Sequence, residues 1–159
     1  DPHPGNFLID DKNRLVMLDF GCVRKFDTVF TDGILEVLDT VWENDPGRAL
    51  EIYERIGFGG SAGVKHLDPE LISQYHEIIL KPFVRDEIMT FAGWQPALEG
   101  KKFILRNPSL MILTPPADGL LYFRVLSGIK GLLGRFDAKI NVMDLAVETA
   151  RRRGVLTDV

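Results

Sequence analysis

Asp1-Pro2-His3-Pro4-Gly5-Asn6 opens the chain, and Leu15-Val16-Met17-Leu18-Asp19-Phe20-Gly21 follows one turn later. Residues 6–9 and 15–18 are short apolar runs. Asp10-Asp11-Lys12-Asn13-Arg14 between them is turn chemistry, so the spacing predicts a β-hairpin. Such a hairpin holds Asn6 and Asp19 at neighbouring strand ends. There an amide oxygen and a carboxylate oxygen can share a hard divalent cation of the Mg²⁺ kind.

The same residues carry a resemblance. Protein kinases place a catalytic Asp, an Asn five positions later that holds Mg²⁺, and an Asp-Phe-Gly whose Asp holds Mg²⁺ against ATP phosphates. Asp1 and Asn6 have that offset, and Asp19-Phe20-Gly21 supplies the triplet. The wording Asp-Pro-His-Pro-Gly-Asn with Leu-Asp-Phe-Gly resembles the UbiB/ADCK family of atypical kinase-like proteins, linked to isoprenoid quinone biosynthesis. The motif likeness covers residues 1–26, and a weaker one, mainly in residues 119–141, extends over the helical remainder. It implies an Asp1 that acts as base or orients the substrate, Asn6 and Asp19 as metal ligands, and ATP and Mg as cofactors. It also implies slow ATP hydrolysis or phosphoryl transfer in support of quinone-lipid biosynthesis, with a lipid or quinone precursor and a membrane surface as partners.

No Val-Ala-x-Lys segment, no Lys-x-Gly-Gln motif and no glycine-rich loop in a strand context occurs, and no Met opens the chain. The chain therefore reads as a fragment that begins in the catalytic loop. The ATP-gripping Lys and loop are expected upstream, on an N-terminal lobe that packs on this chain. The fragment alone is expected to be inactive. The expected fold class is α+β, mainly α: the C-terminal lobe of a kinase-like fold, with a short metal-bearing hairpin followed by a helical bundle. Residues 1–159 are one partial domain, with 1–27 as catalytic loop, hairpin and Asp-Phe-Gly, and 28–159 as helical subdomain.

Bulk properties agree with one globular unit. The chain has 159 residues, 45% of them hydrophobic and 26% charged, enough for a real core. A net charge of -4 argues against a nucleic-acid partner, which draws on clustered Lys and Arg. The one basic run, Arg151-Arg152-Arg153, suits the last turn of a helix before Gly154. The single Cys22 excludes an internal disulfide and reads as a small buried side chain. Residues 109–136 are the most apolar stretch, but Pro115, Pro116, Asp118, Arg124, Lys130 and Arg135 interrupt any membrane span. The expected location is cytoplasmic or peripheral to a membrane, either a bacterial inner membrane or an organelle.

Downstream the pattern is helical. Ile34, Leu35, Val37, Leu38, Val41 and Trp42 share a face, with Asp32 as cap. Asp45-Pro46 and Asp68-Pro69 each pair a cap with Pro at the first helical position. Pro82 ends or kinks the second of these helices. Residues 90–96 read as a loop and 97–105 as a helix. Asp118 reads as the cap of a long helix through Phe136, apolar nearly all round and so expected at the centre of the core. Asn141 caps the last helix.

Three features invite chemistry and receive a plainer reading. His3 is expected to shape the loop by hydrogen bonding. Residues 57–63, four of them glycine, resemble a phosphate cradle but follow a helix rather than a strand, so they read as a connection. His66 and His76 have no partners at zinc-ligand spacing. Phe20 is expected to pack inward. No Ala-Pro-Glu motif follows the Asp-Phe-Gly, which argues against a protein substrate. Two alternatives stand beside the UbiB-type kinase or ATPase: a small-molecule phosphotransferase of the aminoglycoside- or choline-kinase kind, and a non-catalytic pseudokinase or lipid-binding scaffold.

Overall fold

The computed structural model describes residues 2–21 and 23–156. Strands β1 (Phe7–Ile9) and β2 (Leu15–Met17) pair antiparallel, Phe7 opposite Met17, Leu8 opposite Val16 and Ile9 opposite Leu15. Asp10 ties the turn. Its Oδ1 accepts from the Lys12 and Arg14 amides at 2.9 and 2.8 Å, and its Oδ2 from Arg14 Nε at 2.7 Å. The Arg14 amide, then the Arg14 guanidinium, hold the Asp10 carboxyl below the usual range. The turn chemistry read from residues 10–14 thus rests chiefly on one carboxylate.

Seven α-helices follow among the described residues: α1 (Thr28–Trp42), α2 (Pro46–Arg55), α3 (Pro69–Ile79), α4 (Lys81–Val84), α5 (Pro96–Arg106), α6 (Ala117–Arg135) and α7 (Val142–Arg152). The fold is α+β and mainly α, a hairpin followed by helices. Asp45 and Asp68 cap α2 and α3 through the Arg48 and Glu70 amides, both at 3.0 Å. The cap of α1 is Asp27, whose Oδ1 accepts from the Val29 amide at 2.8 Å. Asp32, expected in that role, lies one turn inside the helix. The earlier start puts Phe30 into the core and lets Phe26 pack on it.

The core lies between α1, α2 and α3, with Val37, Leu50, Ile52, Tyr53, Ile56 and Ile72 all buried. α1 and α2 approach closely at Gly33, where a Cβ would lie 2.4 Å from Ile56 Cγ2. His76 joins this core, one helical turn from Ile72. Its Nε2 meets the Tyr53 hydroxyl at 2.8 Å, and only 2% of the residue is exposed. Burial pushes the His76 pKa down to about 4 and the Tyr53 pKa up.

α3 stops at Ile79 and α4 resumes two residues later, with Pro82 in its first turn. That is the break expected at Pro82. A second small sheet went unread: β3 (Met89–Thr90) pairs antiparallel with β4 (Lys139–Ile140). Two residues per strand leave no alternation to detect. Trp94, in the expected loop, anchors that loop by donating from Nε1 to the Ile78 carbonyl at 3.1 Å.

α6 corrects a further expectation. It is not a buried central helix: Leu120 is 60% exposed, and Leu121, Val125 and Ile129 are exposed as well. Only one side, at Tyr122 and Phe123, packs on the core cluster. The core cluster is also walled by Val64, Leu67, Phe103 and Leu110, so the all-round apolarity of α6 meets it on one side alone.

Two measurements check this packing. Gly33→Ala should lower stability by about 1–2 kcal/mol in chemical unfolding, because the cost of overpacking exceeds a helix-propensity gain of about 1 kcal/mol. An unchanged or raised stability would show that α1 and α2 can part freely. The second concerns His76. The fold favours its neutral form, so its contribution is complete above the ordinary pKa of 6.5 and is lost as pH falls from there toward 4. Between those limits the loss should approach about 3 kcal/mol. His76→Gln, less stable at pH 7, should show a flatter stability profile across that window. An identical slope would contradict the assignment.

Candidate functional site

The loop before β1 is built by His3. Residues Pro4–Asn6 form one 3₁₀ turn, capped by His3 Nδ1, which accepts from the Gly5 amide at 3.1 Å. The His3 carbonyl accepts from the Asn6 amide at 2.9 Å. His3 therefore has the loop-shaping role expected of it, with its Nδ1 lone pair committed to the backbone.

The turn delivers Asn6 to the hairpin. The Leu18 amide donates to the Asn6 carbonyl at 2.9 Å, which extends the pairing one step beyond Phe7 and Met17. Asp19 is the next residue, so the backbone brings Asn6 and Asp19 to the same end of the hairpin. Asp19 is exposed, and its Oδ1 accepts from the Gly21 amide at 2.7 Å. This is an Asx turn, which sets the direction of the carboxylate. A Cβ on Gly21 would sit 3.1 Å from that same oxygen. The turn carries Phe20 outward at 63% exposure, not inward as expected. Asp1, expected as catalytic base, and Cys22, expected to be buried, lie outside the described residues.

Among the described residues no group of three or more His, Cys, Asp or Glu converges on a metal position. Asn6, half-buried, and Asp19, exposed, bring something narrower to one strand end: an amide and a carboxylate. Mg²⁺ commonly takes one or two such protein oxygens and keeps water elsewhere. The donor chemistry fits that ion.

The glycine loop at 57–63 is engaged otherwise. Gly59 takes a left-handed φ of 75°, and a Cβ there would lie 2.5 Å from Val64 Cγ1. The Val64 and Lys65 amides donate to Glu54 Oε2 at 3.2 and 3.3 Å, and Lys65 Nζ lies 3.5 Å from Glu54 Oε1. The Val64 amide, then the Lys65 amide and charge, hold the Glu54 carboxyl below its usual range. These donors at the loop's exit serve the protein's own carboxylate, as suits an inter-helix connection.

A cleft of about 740 Å³ opens between residues 23–26 and α6. Val23, Phe26, Leu121 and Val125 give it an apolar wall, and Arg24 and Arg124 add charge. Neither Asn6 nor Asp19 lines it. Two contacts were not foreseen. Arg24 forms an ion pair with Asp118, in the first turn of α6 where a cap was expected, while Pro116 holds the cap position. Arg153, read only as part of a helix-ending basic run, donates to Asp32 Oδ1 at 2.5 Å. Partners 94 and 121 residues apart leave no trace in local spacing.

Residues 1–53 match the ABC1 atypical kinase-like domain. A chloroplastic protein of Arabidopsis thaliana, "Activity of BC1 complex kinase 8", is 39% identical over 59 residues, covering 36% of this chain and 8% of that protein. The mitochondrial atypical kinase COQ8B of Rattus norvegicus is 28% identical over 159 residues, covering 96% of this chain. The chain spans 29% of that rat protein. An uncharacterized protein of Synechocystis sp. is 26% identical over 104 residues, covering 60% of this chain and 18% of its own length. Among the described residues no helix is long and apolar enough to cross a membrane.

Proposed function

We propose, on the premise that this chain belongs to the UbiB/ADCK family of atypical kinase-like proteins, that it carries the metal-binding part of a Mg-ATP-dependent kinase or ATPase. Asn6 and Asp19 hold Mg²⁺, and Asp1 orients the attacking hydroxyl or water. Residues 1–27 form the catalytic loop, hairpin and metal segment, and residues 28–159 the helical support. The observation that carries this reading is the Leu18 amide to Asn6 carbonyl bond, which registers the two motifs at one hairpin end.

Mg²⁺ held by Asn6 and Asp19 would supply positive charge to the phosphate oxygens. The chain's own residues do the positioning. Asp10 holds the turn and so the register. His3 shapes the loop that presents Asn6. The Gly21 amide aims the Asp19 carboxylate. Phosphoryl transfer needs little covalent help, so positioning of this kind is the protein's main task.

The family premise extends the proposal to isoprenoid quinone biosynthesis, with action near a bacterial or organelle membrane surface. The exposed apolar face of α6 and its cleft support a lipid or membrane-surface role for that side of the molecule. The same observation favours a second reading, in which the lobe binds lipid and turns over no nucleotide.

The test is made in the full-length protein that contains this chain. Asp19→Asn should weaken nucleotide binding in the presence of Mg²⁺ by about tenfold or more, since it removes the ligand's charge but little of its shape. Binding without Mg²⁺ and the melting temperature should stay near the parent values. Unchanged Mg-nucleotide affinity in the variant would contradict the assignment. Nucleotide turnover that bursts with an amino-sugar or choline acceptor would point instead to a small-molecule phosphotransferase.

A further inference from the structure

We propose that the Arg24–Asp118 ion pair is a positioning clamp, which fixes the chain segment leaving Asp19 against α6. The proposal rests on the reading of Asp19 as a metal ligand.

After Gly21 the chain must cross from the hairpin to Asp27, where α1 begins. Residues 23–26 make this crossing without helix or strand. A segment lacking its own backbone ladder takes its direction from side-chain attachments. Two attachments lead to α6. The Arg24 guanidinium donates to Asp118 Oδ1. The Phe26 ring meets the edge of Tyr122 at 5.6 Å, with an interplanar angle of 89°.

The spacing of the four residues gives the pair its meaning. Asp118 and Tyr122 stand four apart on α6 and so lie one above the other on one face. Arg24 and Phe26 stand two apart on a segment without helical turns, so both can reach that face. One attachment would leave a hinge, whereas two fix both position and direction. Phe26 also packs on Phe30 of α1, so the far attachment is tied to the core. The Arg24 pair is the attachment nearer to Asp19.

Stability gives the pair little reason to exist. Its side chains are 53% and 42% exposed, and an exposed ion pair contributes little to global stability. What it does carry is geometry. Asp118 lies in the first turn of α6, where the helix dipole favours a carboxylate and holds it ready. Arg24 brings a planar, permanently charged fork. Arg124 lines the cleft beside Arg24 and adds a second cation to it.

The test uses the full-length protein with Arg24→Gln, Asp118→Asn and the reversed pair Arg24→Asp with Asp118→Arg. Each single variant should raise the Mg²⁺ concentration for half-maximal nucleotide binding by about three- to tenfold, and the reversed pair should bring it back toward the parent value. Amide exchange over residues 19–26 should speed up in the single variants and slow again in the reversed pair, while melting temperatures stay close to the parent. An unchanged Mg²⁺ requirement in both single variants would overturn the proposal. So would a reversed pair as impaired as the two single variants added together. If the parent protein itself bound nucleotide without regard to Mg²⁺, the metal reading of Asp19 would fail, and exchange alone would decide the clamp. Protection lost in the single variants and regained in the reversed pair would support it, and unaltered exchange would refute it.

Discussion

The hydrogen bond from the Leu18 amide to the Asn6 carbonyl, 2.9 Å long, is the constraint on which the site depends. It converts a separation along the chain into adjacency in space. Backbone pairing fixes which residues stand opposite one another, so a slip of one residue would change what stands beside Asn6 at that end. The register is protected from both ends: Asp10 gathers the turn, and His3 orders the loop that enters the first strand. From turn chemistry to the candidate site, each step fixes the next.

The stable part of the molecule and its candidate working part are different structures. The helical core has Ile72, His76 and Val64 fully enclosed, with a buried hydroxyl–imidazole contact inside it. The hairpin has nothing comparable. Leu8, Ile9, Leu15, Met17 and Leu18 are each more than half exposed, and a two-stranded hairpin alone is marginal in water. Apolar side chains on both faces of so small a sheet mark it as a surface to be covered. Between hairpin and core lies the crossing at residues 23–26, and the aromatic contacts of Phe26 make it part of the support.

How much was legible depended on the range of the interaction. The hairpin, the Asp45 and Asp68 caps and the break at Pro82 are local, and residue order alone carries them. The cap at Asp27 was misplaced by a turn because Asp27 and Asp32 are equally good caps locally, and only the burial of Phe30 chooses between them. α6 misled for a related reason. Periodicity reports which residues are apolar, not how many neighbours surround the helix. The Tyr53–His76 contact could have been suspected, since His76 sits four residues after Ile72 on the inner face of α3. Arg24–Asp118 had no sequence signal, because it joins a segment without regular structure to a distant helix. At the site itself, motif wording indicated Asn6 and Asp19. The Asx turn at Gly21 and the outward Phe20 became visible only in three dimensions.

The central claim is that the hairpin end at Asn6 and Asp19 is where a divalent cation sits. Mn²⁺ can stand in for Mg²⁺ at oxygen ligands and broadens the resonances of nearby nuclei. A Mn²⁺ titration of the full-length protein, followed by NMR, reads this directly. The account predicts that the Asn6 side-chain amide and the backbone amides of Leu18, Asp19 and Gly21 broaden at the lowest Mn²⁺ concentrations, and that the glycine loop at 57–63 broadens later. Broadening that begins at Glu54 and that loop, or that shows no preference for the hairpin end, would contradict it.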